Sequence, residues 1–251
     1  MLFVTTMYLK NAGAKERLDA YSNAGFLLAN HSHSHQSPTK IPLEKYIADI
    51  NQADELLKNR KGFVPFYRFP FLQHGNTKES RDRLREHLAS TGYKIGYVTV
   101  DNLDWYMNSL LQQALAKGQH VDYEKLGELY VEVMTQAVTF YDDIAIKYLN
   151  RSPKHTLLLH ENDITALFIG DLITALKRNN WRIISANDAF TDPIAAELPD
   201  VIHQGQGRVT AIATSKGANA EDMRNYLENT DNIDALFTKR KVFSNKPLIS
   251  K

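Results

Sequence analysis

What most limits the fold of this 251-residue chain is a repeated alternation of short apolar runs with longer amphipathic stretches. Met1-Leu2-Phe3-Val4-Thr5-Thr6, Phe26-Leu27-Leu28-Ala29, Val64-Pro65-Phe66-Tyr67-Arg68, residues 93–100, Thr156-Leu157-Leu158-Leu159 and residues 181–184 each read as a strand. Residues 11–24 read as a helix with Leu18 and Tyr21 inward, and 42–59 carry Tyr46, Ile47, Ile50, Ala53, Leu56 and Leu57 at helical spacing. Residues 77–90 form a charged helical stretch closed by Gly92, 122–149 a long amphipathic one and 164–178 another. Strands separated by helices imply a mainly parallel sheet or barrel with helices outside, so the fold class is α/β. Beyond residue 192 the pattern is less regular, with a short apolar run at 209–213 and a helical stretch expected at 221–227. No linker or internal repeat divides the chain, so residues 1–190 are expected to form one domain, with 191–251 as an extension packed on it.

Hydrophobic residues make up 43%, ample for a core, and 30 basic against 29 acidic residues leave a formal charge of +1. That balance gives no basis for binding nucleic acid or an anionic membrane and favours a neutral or weakly charged substrate. No stretch reaches the ~18 apolar residues of a membrane span. The N-terminus lacks a signal-peptide pattern, and cysteine is absent, which removes disulfides and thiolate ligands but leaves compartment and oligomeric state open.

Three of the nine histidines fall within five positions, His31, His33 and His35, directly after the second apolar run. Neutral imidazole is a common ligand for zinc and similar ions, and strand C-termini are where α/β sheets build their sites. Spacing leaves the ligand pair open: His31 and His35 are four apart, whereas His31/His33 or His33/His35 would share one side of a strand. The competing reading is an exposed polar loop with incidental histidines.

Four fragments then stand in order at strand ends: His31-Ser32-x-x-His35, Arg68-Phe69-Pro70-Phe71, Asp101-Asn102-Leu103-Asp104-Trp105 and Leu159-His160. Together they resemble the motifs of the polysaccharide deacetylases, the NodB-like carbohydrate esterases, over roughly residues 1–190. The resemblance implies a distorted, incomplete (β/α) barrel that removes acetyl groups from N-acetylated glycans with a divalent metal: zinc, or else cobalt, nickel or iron. It makes His31 and His35 the metal ligands and sets His33 aside as exposed. His160 resembles the general acid, Asp104 the carboxylate that orients it, and Arg68 the arginine that holds a catalytic carboxylate. Trp105, Leu159 and Phe71 resemble the substrate-binding wall.

One family motif, Thr-Phe-Asp-Asp-Gly/Ala, has no counterpart. It belongs to a strand ahead of Leu2, so the barrel is expected to lack its first strand and the chain to begin after the residues that supply the base and third ligand. Thr139-Phe140-Tyr141-Asp142-Asp143 imitates that motif but lies within a helical pattern, which makes Asp142 and Asp143 solvated helix positions. Two alternatives accompany the deacetylase reading: a carbohydrate-binding protein without catalysis, and a hydrolase of another carbon–nitrogen amide bond.

Overall fold

The computed structural model describes residues 1–202 and 205–244; the parts of the expected C-terminal extension at 203–204 and 245–251 lie outside them. The chain is mixed α/β and divides into two compact units, Met1–Val98 with Phe190–Ser215, and Thr99–Ala189 with Lys216–Lys251. The stretch expected as one extension therefore divides between the units.

The first unit is built on four parallel strands, β1 (Leu2–Val4), β2 (Leu28–Asn30), β3 (Phe63–Tyr67) and β4 (Lys94–Ile95), in the order β1-β2-β3-β4. Parallel neighbours need crossovers, supplied by helices α1 (Ala14–Asn23), α2 (Leu43–Leu57) and α3 (Lys78–Ser90). Phe3 pairs with Ala29, Leu28 with Phe63 and Tyr67 with Ile95, so every strand points its C-terminal end the same way. Leu18, Leu28 and Leu57 form one buried cluster, and Tyr46, Ile50, Tyr67, Phe69, Leu84, Leu88 and Tyr93 another. Gly62 precedes β3 at φ +79, where a Cβ would lie 2.9 Å from the Phe26 carbonyl oxygen, so the turn into β3 requires glycine. Phe190 anchors the later segment by packing on Phe66 and Tyr97, with ring centroids at 4.7 and 5.0 Å.

The second unit is mainly helical, with α4 (Asp104–Ala116), α5 (Tyr123–Leu149) and α6 (Asp163–Arg178). Asp122 and Asn162 cap α5 and α6 by accepting from the backbone N–H groups of Lys125 and Thr165. A short antiparallel pair, β5 (His120–Val121) with β6 (Phe243–Ser244), closes its C-terminal part. Among the described residues no helix is long and apolar enough to cross a membrane.

The strands are shorter than the apolar runs predict. Of 93–100 only Lys94–Ile95 pairs as a strand, Val100 makes an isolated parallel bridge to Leu157, and 181–184 forms none. The run at 209–213 belongs to a buried helix, Arg208–Ser215, since continuous apolarity does not distinguish a buried helix from a strand. Residues 104–116 form α4, with Met107, Leu111 and Ala114 buried at helical intervals. Leu57→Ala is expected to cost about 2–5 kcal/mol, seen as a lower urea midpoint at unchanged m-value, because Leu57 is fully buried between α1 and β2.

Candidate active site

In the first unit the histidine loop leaves β2 through a turn written by its own side chains. The Asn30 Oδ1 accepts from the Ser32 N–H at 2.8 Å, and the Ser32 Oγ accepts from the His35 N–H at 2.9 Å. Ser32 and His35 both take positive φ, 70 and 56, so the chain doubles back. The result sets the His31 and His35 rings edge to face with centroids 4.8 Å apart. Asp49 on α2 pins the same loop by accepting from the N–H groups of His33 and Ser34 at 2.9 and 3.1 Å.

His31 Nδ1 lies 2.8 Å from the Arg68 carbonyl oxygen, so Nδ1 carries the proton and Nε2 the lone pair. A second loop, after β3, brings Phe71 onto His35 with centroids 4.8 Å apart, and Phe71 is half exposed at φ 56. The Arg68 Nε donates to the Gly96 carbonyl at 3.0 Å while its guanidinium lies 3.8 Å over the Phe3 ring. A Cβ at Gly96 would sit 2.3 Å from that ring, so this glycine makes room for the Phe3–Arg68 stack. His33 is half-buried rather than exposed, its Nδ1 2.9 Å from the Thr6 Oγ1.

In the second unit the Asp104 carboxylate is fully buried at the first residue of α4. Its Oδ1 lies 2.6 Å from His160 Nδ1, and its Oδ2 accepts from the His160 N–H at 2.7 Å and from Asn162 and Thr165 at 3.3 Å. Both oxygens are thus satisfied, and His160 is held by ring and backbone. With Nδ1–H on Asp104, Nε2 is the nitrogen at which His160 can exchange a proton. Half the imidazole is exposed, as is Trp105, and Leu159 is half-buried.

The structure gathers His31, His35, Arg68 and Phe71 in one unit and Asp104, Trp105, Leu159 and His160 in the other. Asn30, Asp49 and Gly96, which position these groups, belong to no motif of the sequence, and Ser32 stands in the His31-Ser32-x-x-His35 fragment without a role of its own. Asp142, expected as solvated, is mostly buried, with its Oδ1 3.0 Å from His155 Nε2; Asp143 is exposed.

The paired imidazoles suit two positions of a metal shell, one with its tautomer set by a carbonyl. Among the described residues no group of three or more His, Asp or Glu is arranged to hold an ion, so water or another donor would complete it.

The model of the polysaccharide deacetylase family matches residues 1–96, the stretch containing both histidines, Arg68 and Phe71. Over that stretch the chain is similar to the polysaccharide deacetylases. No curated protein and no solved structure matches the chain. Asp104 and His160 lie beyond the stretch matched as polysaccharide deacetylase.

Beside Asp104, burial raises the carboxyl of Asp101 to about 6 and that of Glu228, which accepts from the Tyr141 hydroxyl, to about 7. The folded state therefore holds these protons more tightly than the unfolded chain, whose values are 3.8 and 4.5. Their contribution to stability is full below about 4 and is lost as pH rises through 6 to 7. Urea midpoints measured from pH 4 to 8 are expected to fall across this window, and to fall less in Glu228→Gln.

Proposed function

We propose that the protein is a metal-dependent hydrolase that removes acetyl groups from N-acetylated sugars. The observation that carries this reading is the polysaccharide deacetylase match over 1–96, within which His31 and His35 present neighbouring rings at a strand end. The four parallel strands are in keeping with a (β/α) barrel frame. His31, through Nε2, and His35 would hold the ion, zinc or a similar divalent metal, which supplies polarisation of the amide carbonyl and acidification of water.

The remaining roles fall to side chains. On this reading His160, in the second unit, is the donor of the proton that the departing sugar amine needs, and Asp104 fixes the nitrogen that gives it. Arg68 shapes the His31 side through its carbonyl and offers a guanidinium to a carboxylate. Phe71 in the first unit, and Trp105 and Leu159 in the second, are the apolar groups that the reading assigns to substrate; Phe71 and Trp105 are half exposed.

A second reading, glycan binding without turnover, is favoured by the two-member donor set. Acetate release from an N-acetylglucosamine oligomer with added zinc or cobalt separates the two. Deacetylation predicts release that falls about 10²–10⁴-fold in His160→Ala and is lost in His31→Ala. Oligomer binding with no acetate above background would establish the second reading instead.

A further inference from the structure

The first unit encloses a cavity of about 40 Å³ whose walls include Arg68, Arg85 and Arg208 together with Leu72, Tyr97 and Val98. A single water needs roughly 10–15 Å³, so the space suits a few waters or one compact ion, and it is far below the ~300–1,000 Å³ of ordinary small-molecule sites. Among the described residues no Asp or Glu lines it.

Two of these arginines lack a matching countercharge. Arg85 on α3 is 14% exposed, and its Nε is buried with no hydrogen-bond partner. Its Nη2 donates to the Pro199 carbonyl at 3.1 Å. The nearby carboxylate, Asp82, is 3.7 Å from Arg85 and already engaged by Arg81 at 2.8 and 2.9 Å. Arg81 also takes Asp200, at 2.7 Å.

Arg208 is 6% exposed. Its Nη1 donates to the carbonyls of Ile194, Ala195 and Glu197, and its guanidinium lies 5.0 Å over the Tyr97 ring. No ion pair reaches it among the described residues. Burial, and then repulsion from Arg85, brings the Arg208 guanidinium down to about 10, as expected for two cations sharing a space without an anion. Buried charges in folded proteins are paired, and the planar guanidinium fork matches carboxylate and phosphate oxygens.

We infer that this cavity is a binding site for one compact oxyanion, a carboxylate or a phosphate group, held by Arg85 and Arg208. The ligand is too small to be a sugar, so the site is distinct from a glycan groove. The Arg68 carbonyl that orients His31 belongs to a residue of the cavity wall, so occupancy stiffens the segment behind the histidine pair.

The test uses the full chain at constant ionic strength, with sodium acetate or sodium phosphate replacing sodium chloride, followed by calorimetric titration and thermal unfolding. Saturable binding is expected, with Tm raised by about 2–4 °C and acetate and phosphate competing where both bind. Whichever ion binds names the source. Arg85→Met is expected to weaken binding at least ~10-fold, a change of about 1.4 kcal/mol, whereas Lys78→Met, a surface cation outside the cavity, leaves it unchanged. Should Arg85→Met not fold, Arg85→Lys keeps the charge, loses the fork and is expected to bind several-fold more weakly. No saturable binding of either ion by the unaltered protein, or equal binding by the folded Arg85 variant, overturns the inference.

Discussion

The buried amide of Asn30 is the tie on which the first unit's site depends. It ends β2, and its Nδ2 donates to the Ile50 carbonyl of α2 at 3.1 Å and to the Tyr93 hydroxyl ahead of β4 at 3.2 Å. Its Oδ1 starts the histidine turn by accepting from Ser32. One side chain thus links a strand, a helix, the approach to the next strand and the loop that carries His31 and His35. Because the amide is fully buried, each of these bonds matters: an unmade one would leave a desolvated group, a larger loss than the ~1 kcal/mol net value of a made one. The Tyr93 hydroxyl continues the network to Asp54 at 2.6 Å.

Around that tie the backbone is held in sparsely populated conformations. Ser32 and His35 in one loop, and Phe71 and Leu72 in the other, have positive φ, each costing on the order of 1–3 kcal/mol. Such conformations persist only where surrounding bonds over-determine them, and in the histidine loop the bonds are those of Asn30, Ser32 and Asp49. The outcome is two imidazoles and a phenyl ring in mutual edge contact, an arrangement that no propensity of the individual residues would produce. In the second unit the same logic operates with a charge: four donors around the buried Asp104 carboxylate fix the His160 ring.

Long helices were legible because a 3.6-residue period repeats often enough to rise above chance, as in 122–149 and 164–178. Strand extents were not, because a strand ends where its neighbour stops offering hydrogen bonds, and the neighbour is distant in sequence; residues 93–100 and 181–184 show this. The chemical residues were legible as types in order. Their supports were not, since an Asn, a Ser or a Gly acquires its role only from the atom placed opposite it: Gly96 matters because the Phe3 ring lies where its Cβ would be.

The sequence by itself determined the α/β class, the expectation of a mainly parallel sheet and the histidine, arginine and aspartate–histidine motifs, because periodicity and spacing are local properties. Tertiary structure alone decided that His33 turns to Thr6, that both oxygens of Asp104 are taken up around His160, and that Asp142 serves His155. It also decided that Arg85 and Arg208, more than a hundred residues apart in sequence, share a cavity that no acid lines among the described residues. Those outcomes depend on which buried groups find partners, and a partner is set by packing rather than by distance along the chain.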